Sequence, residues 1–130
     1  MAIWKDAPKD LFLSAEVTME KVSQLTFYFR STKKIDDSYI LRLDVCNSEV
    51  SFHHWKGWNR MSAMNTRSMD IPTDRSFIVH IMLHGDVLEA FIDDRIAIGS
   101  RVQNSNGSLA ISARDNRIKL EKLKITHLPK

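Results

Sequence analysis

The chain has 130 residues and a formal net charge of +3 at pH 7, with 43% hydrophobic and 27% charged residues. This length suits one domain with its own core, and the composition is that of an ordinary globular protein. Basic residues are interspersed with acidic ones, as where Lys33 and Lys34 precede Asp36 and Asp37. Because no basic cluster and no apolar run of about 18 residues occurs, we expect neither nucleic acid nor a membrane as a partner.

The first half of the chain alternates apolar and polar residues. In FLSAEVTM, every second position from Leu13 to Met19 is apolar and the positions between them are polar. LTFYF, YILRLDV and EVSFHHW show the same period of two, which is typical of strands with one buried and one solvated face.

Cys46 is the single cysteine, which excludes an intrachain disulfide and a cysteine-based zinc site. It directly follows YILRLDV, and we predict that it is a small buried hydrophobic residue. The stretch KGWNRMSAMNTRSMDIPTD, residues 56–74, is the longest without alternation. We predict that it is a loop with one short edge strand near Arg67–Ile71.

The second half resumes the alternation in SFIVHIML, VLEAFI, IAIGSRV, SLAISA and RIKLEKLKITHL. Gly85 and the Asp93–Asp94 pair lie between the first three of these segments and are residues typical of turns. In the last segment the apolar positions change phase, which predicts a β-bulge near Glu121–Lys122. Short strands with turns at this spacing predict an all-β fold. We expect a two-sheet antiparallel β-sandwich of jelly-roll type, a single domain spanning residues 1–130.

A glycosidase-like site would need two carboxylates that face each other across a cleft. Glu89 and Asp93 are four positions apart on one predicted strand, so they lie roughly 13 Å apart, farther than either hydrolytic geometry uses. Asp93 and Asp94 are better explained as turn residues. The chain also lacks a nucleophile elbow and a glycine-rich phosphate loop. We therefore predict no catalytic residue, no cofactor and no enzymatic activity for this chain.

The segment FHHWKGWNR is the richest in chemistry-bearing side chains. His53 and His54 are adjacent on a strand and point to opposite faces, so they cannot jointly bind one metal ion, and we predict no metal site. Trp55, Trp58 and Arg60, with His54 beside them, are the candidate carbohydrate contacts, since aromatic rings stack on sugars and polar groups fix hydroxyls. The alternative, which the sequence alone favours, is that the tryptophans pack at the sandwich edge or against a neighbouring domain.

The run GDVLEAFIDDRIAIGSRV resembles a hairpin in the C-terminal β-sandwich module of glycoside hydrolase family 32, the invertases, levanases and fructosidases. That module is a concanavalin A-like jelly roll. The ending IKLEKLKITHLPK is similar to the last strand of the module. The matching hairpin residues are Val87, Glu89, Phe91, Ile92, Asp93, Asp94, Ser100, Arg101 and Val102.

In that family the catalytic carboxylates belong to a propeller domain, which this chain is too short to contain. The resemblance therefore implies a non-catalytic accessory module of a fructan- or sucrose-acting hydrolase, packed against the catalytic propeller. It also implies that Glu89 and Arg101 form a cross-strand pair. A second hypothesis is a self-contained lectin-like carbohydrate-binding domain that uses Trp55, Trp58 and Arg60. A third, an independent enzyme, would require carboxylates that converge in a pocket.

Overall fold

A computed structural model describes residues 2–21, 23–32, 37–57, 61–114 and 118–128. The regular elements in these ranges are all strands, and they form two antiparallel sheets, so the predicted all-β sandwich is confirmed. Among the described residues there is no helix long and apolar enough to cross a membrane. In chain order the strands are β1 Ala2–Trp4, β2 Leu11–Thr18, β3 Gln24–Ser31, β4 Ser38–Asp44, β5 Glu49–Trp55, β6 Met61–Ser68, β7 Phe77–His84, β8 Val87–Ile92, β9 Ile96–Arg101, β10 Ser108–Arg114 and β11 Lys119–His127.

The strands divide between the sheets in a jelly-roll-like order. One sheet is six-stranded with the order β1-β10-β3-β4-β5-β6, and the other is five-stranded with the order β11-β2-β7-β8-β9. Four consecutive strands, β3 to β6, pair with one another in chain order in the first sheet, and β7 to β9 do so in the second. The remaining connections cross between the sheets, which places the two inner faces against each other.

The core lies between the sheets and consists of the apolar residues that alternate inward. On β2, residues Leu11, Leu13, Ala15 and Val17 are buried while the positions between them are only half-buried. The same alternation on the other central strands adds their apolar side chains to one continuous cluster. Each fully buried large side chain contributes about 1.5–3 kcal/mol to folding, so this cluster is the main source of stability.

The predicted turns and the predicted bulge are confirmed. Gly85 has φ 58°, and the Asp93–Asp94 pair has φ 56° and 51° at the β8–β9 turn. Aspartate tolerates this left-handed conformation better than most residues. In β11 the register with β2 shifts between Glu121 and Lys124, and Lys122 has φ 51°.

The long stretch after β5 differs from the prediction. It contains a full strand, β6, which begins at Met61 and ends at Ser68, whereas the sequence predicted a short strand near Arg67–Ile71. β6 is the edge strand of its sheet, and most of its residues are exposed. An edge strand of this kind needs no apolar alternation because backbone hydrogen bonds to its neighbour hold it. The alternation of apolar and polar residues therefore could not identify β6 in the sequence.

The prediction that Cys46 is buried is wrong, since the cysteine is exposed. β4 ends at Asp44, and residues 45–48 form the turn to β5. The alternation of YILRLDV therefore stops before Cys46. The thiol lies on the surface of a hairpin turn instead of continuing the buried face of the strand.

Candidate functional site

One face of the six-stranded sheet carries a cluster of aromatic and polar side chains. On β5, Val50 and Phe52 enter the core, so the alternate residues Ser51, His53 and Trp55 face outward. In register, Arg42 of β4 lies opposite Ser51 of β5 and opposite Thr26 of β3. We call this surface the β3–β6 face and define it by Tyr28, Arg42, Ser51, His53, Trp55 and Met61.

The aromatic part of the β3–β6 face centres on Trp55. The half-buried Trp55 ring stands edge-on to Tyr28, with ring centroids 6.4 Å apart and an interplanar angle of 61°. The Tyr28 hydroxyl accepts a hydrogen bond of 3.3 Å from Ser112 Oγ. Met61 lies opposite Trp55 on the edge strand and is 39% exposed. The result is an accessible apolar surface with a fixed tyrosine at its side.

The polar part lies directly beside Trp55 on β4 and β5. His53 Nε2 and the buried Ser51 Oγ share a hydrogen bond of 2.7 Å. Arg42 Nη1 lies 3.9 Å from Met61 Sδ, and Arg42 Nε is buried with no hydrogen-bond partner among the described residues. Burial and the neighbouring Arg42 lower the pKa of His53 below its usual 6.5, although Glu49 acts in the opposite direction. His53 is therefore neutral near pH 7.

Two carboxylates lie at the far end of the same face, where Asp44 and Glu49 are directly opposite across the β4–β5 pair. Asp44 accepts hydrogen bonds from Asn47 Nδ2 at 2.8 Å and from Gln24 Nε2 at 3.2 Å. Burial acts to raise the pKa of Asp44, but the hydrogen bonds from Asn47 and Gln24 outweigh it and lower that pKa. Asp44 therefore stays ionised, and its hydrogen bonds stabilise the β4–β5 hairpin.

The sequence-predicted site residues do not all meet on this face. His54 lies on the other side of β5, where its ring stacks on Tyr39 at 4.4 Å and its Nε2 lies 2.9 Å from Asp37 Oδ1. Trp55 is therefore separated from His54 by the sheet. Trp58 and Arg60 lie outside the described residues. Their role in carbohydrate contact stays a prediction.

Five residues of the face were missed by sequence reasoning: Tyr28, Arg42, Ser51, His53 and Met61. Part of the signal was present, because Ser51, His53 and Trp55 are two residues apart and must share a face of any strand. Arg42 and Tyr28 join them only through the pairing of β3 and β4 with β5. The local alternation of apolar and polar residues does not show which strands pair.

The predicted Glu89–Arg101 pair is wrong. In the β8–β9 hairpin Glu89 lies opposite Gly99, whereas Arg101 lies opposite Val87 and its Nη1 contacts Asp86 Oδ2 at 2.7 Å. The two-residue offset follows from the turn at Asp93–Asp94, which sets the register.

Glu89 itself lines a shallow groove of about 300 Å³ on the outer face of the five-stranded sheet, together with Phe91 and Gly99. No other carboxylate lines that groove among the described residues. Within the same part of the chain, no group of three or more His, Cys, Asp or Glu side chains is placed to hold a metal ion. Among the described residues, this groove therefore shows no paired acid of the kind that a hydrolase needs.

No protein-family model matches the sequence, and no curated protein matches it. Solved structures do match in fold. The carbohydrate-binding module CBM66 of Bacillus subtilis has a TM-score of 0.71 at 16% identity, covering 95% of this chain and 76% of the module. Sheep galectin-11, in complex with glycerol, has a TM-score of 0.74 at 10% identity and covers 96% of each chain. A galectin of Caenorhabditis elegans has a TM-score of 0.74 at 10% identity, covering 97% of this chain and 90% of the galectin. This likeness establishes a shared β-sandwich fold.

Proposed function

We propose that the protein is a non-catalytic, lectin-like carbohydrate-binding domain and that the β3–β6 face is its binding surface. The observation that carries this proposal is the half-exposed Trp55 beside the polar side chains of Arg42, Ser51 and His53 on one sheet face. An aromatic ring covers the apolar face of a sugar, and adjacent donors and acceptors fix its hydroxyls. The shared fold with a carbohydrate-binding module and with galectins supports the same function.

The two described tryptophans differ in a way that favours binding over packing. Trp4 of β1 packs against the apolar cluster between the sheets. Trp55 lies on the outer face, outside that cluster, and its nearest ring partner is the half-exposed Tyr28. Both rings are partly buried, but a tryptophan that served packing alone would be expected to pack against the core cluster, as Trp4 does.

The test is a fluorescence and calorimetric titration of the protein with a panel of neutral and acidic glycans that includes fructans and sucrose. We expect saturable binding to at least one glycan and a loss of at least about tenfold in affinity for Trp55→Ala. Phe91→Ala is the matched control, because Phe91 is also an exposed aromatic residue, 42% exposed, but lies on the opposite sheet.

The control variant should bind like the wild type, and circular dichroism should show that both variants are folded. If neither variant alters a measurable affinity, the β3–β6 face is not the binding surface. If no glycan binds at millimolar concentration, the proposal of a lectin-like domain fails.

A second candidate, an accessory module of a fructan- or sucrose-acting hydrolase, is favoured by a different observation. At the β1 and β11 edges the sandwich is open and forms a groove of about 550 Å³ lined by Trp4, Leu123 and Ile125 among others. The groove also contains Lys5 and Asp6, but its larger apolar part is a typical place for another domain to pack. This candidate also draws on the family 32 resemblance of the β8–β9 hairpin.

This candidate has its own test. A purified catalytic propeller of a fructan-acting hydrolase should raise the melting temperature of the chain, and Leu123→Lys should abolish that effect without changing glycan titrations. If the propeller leaves the melting temperature unchanged, the accessory role is contradicted.

A further inference from the structure

Arg42 differs from Arg30, Arg75 and Arg101, each of which has a carboxylate partner among the described residues. Arg42 Nη1 contacts only the sulfur of Met61, at 3.9 Å, among the described residues, and its Nε, like that of Arg30, is buried without a hydrogen-bond partner. Within the described part of the chain Arg42 makes no ion pair with a carboxylate. By contrast, Arg30 pairs with Asp10, Arg75 with Asp93 and Arg101 with Asp86. Because the Nη groups of Arg42 meet no oxygen acceptor among the described residues, they keep hydrogen-bonding capacity for a ligand group.

The Arg42 side chain extends toward the end of the β3–β6 face that carries Trp55, so its Nη groups lie at that end. Met61, which its guanidinium contacts, is the cross-strand partner of Trp55. Asp44, two residues along β4 from Arg42, is already bound by Asn47 and Gln24. The guanidinium is therefore aimed at the space beside the Trp55 ring, away from the acidic end of the face.

We propose that the glycan bound on this face is acidic, with a carboxylate or sulfate of the sugar accepting hydrogen bonds from Arg42 while the ring stacks on Trp55. This inference rests on the proposed carbohydrate-binding function. A guanidinium is a planar fork of donors that matches the two oxygens of a carboxylate or sulfate. An anion at this position gives Arg42 the partner that the protein does not supply.

The pKa of His53 provides a second, independent measurement of anion binding at Arg42. The charged groups that face it are Arg42 from β4 and Glu49 from its own strand, while Ala63, opposite it on β6, is uncharged. Burial and Arg42 lower the pKa of His53. An anion bound to Arg42 offsets its charge, so His53 should take up a proton more readily in the complex. Binding then takes up protons, and affinity should increase as pH falls from about 7.5 to about 5.5.

The experiment compares glycans that differ only in their charge. The probes are the methyl glycosides of glucose and glucuronate, and of N-acetylglucosamine and its 6-sulfate, titrated against wild type, Arg42→Lys, Arg42→Gln and Arg101→Gln. The two glycoside pairs separate carboxylate from sulfate recognition. Arg101→Gln is the matched control because that arginine is exposed on the other sheet.

We expect the wild type to bind at least one acidic member at least about tenfold more tightly than its neutral counterpart. Arg42→Gln should abolish the preference, so that the acidic sugar loses at least about tenfold more affinity than the neutral one. Arg42→Lys should retain part of the preference because it keeps the charge without the fork. Arg101→Gln should behave like the wild type. NMR should show the His53 pKa rising when the acidic sugar binds.

The inference is overturned if the wild type binds acidic and neutral sugars with equal affinity and Arg42→Gln loses both affinities together. The carbohydrate-binding function would remain intact. An acidic preference lost equally in Arg101→Gln would also overturn it, since the attraction would then come from the net charge of the protein. Absence of binding to every sugar, charged or neutral, would instead remove the proposed function itself.

Discussion

Arg30 is the buried charge that joins three chain segments at one end of the sandwich. Its guanidinium donates to the backbone carbonyls of Gly85 at 2.6 Å and Lys9 at 3.2 Å, and also to that of Gln103. Asp10 Oδ1 lies 3.4 Å from the same group, and the side chain of Arg30 is 1% exposed. One side chain therefore holds the loops that precede β2, β8 and β10. Its many partners compensate for the cost of burying a charge.

We predict that Arg30→Met lowers the free energy of unfolding by about 3 kcal/mol or more, because three part-buried carbonyl bonds and the Asp10 pair lose their buried donor together. The measurement is urea unfolding followed by tryptophan fluorescence. Arg101→Met is the control: its ion pair with Asp86 is exposed, so the change should stay below about 1 kcal/mol. Equally small losses in both variants would show that Arg30 is not a structural anchor.

At the scale of elements, the contact between β3 and β10 depends on a glycine. Arg30 has φ 50°, and the register between the two strands is irregular between Ser108 and Ala110. A Cβ on Gly107, just before β10, would lie 2.3 Å from the backbone carbon of Arg30. The strands can approach at this irregularity only because residue 107 has no side chain.

We predict that Gly107→Ala destabilises the protein toward the upper end of about 1–3 kcal/mol, because the backbone of β3 or β10 must move to relieve the clash. Gly99→Ala is the matched control, since its added Cβ would meet no atom closer than 3.5 Å. That change should be neutral or stabilise by up to about 1 kcal/mol. Thermal and urea unfolding of both variants measure the difference, and similar stability for the two would contradict the role given to Gly107.

At the scale of the whole molecule, the two open sides of the sandwich are built differently. On one side β6 and β9 are bridged, since Asn65 Nδ2 donates to Gly99 O at 2.9 Å and Arg67 Nη1 donates to Ala97 O at 3.2 Å. On the other side the β1 and β11 edges enclose an apolar groove. The bridges therefore tie β6, the edge strand that carries Met61 opposite Trp55, to β9 of the other sheet.

We predict that Asn65→Ala speeds amide hydrogen exchange in β9 by about fivefold, because a side-chain bridge worth about 1 kcal/mol is lost between the two sheet edges. Asn47→Ala is the control, since the Asn47 side chain donates to Asp44 within its own hairpin. Its effect should stay confined to the β4–β5 turn. Unchanged exchange in β9 for Asn65→Ala would show that the edge is held by other contacts.

The fold class and most strand positions were predictable from the sequence, because the period of two is a local property of a half-buried strand. The β2 alternation, the turn at Asp93–Asp94 and the bulge near Lys122 all appear where the pattern indicated. The edge strand β6 was misplaced because an exposed edge needs no apolar face, and β1, Ala2–Trp4, was missed because three residues are too few to show a period.

What the sequence determined by itself about the candidate site is that Ser51, His53 and Trp55 face the same way, since parity along one strand follows from the backbone alone. Only the tertiary structure decided that Arg42 and Tyr28 join them and that Glu89 and Arg101 do not pair. Those neighbours depend on which strands pair and in which register. Register is set by turn geometry and by the packing of the whole core, and no short stretch of sequence contains that information.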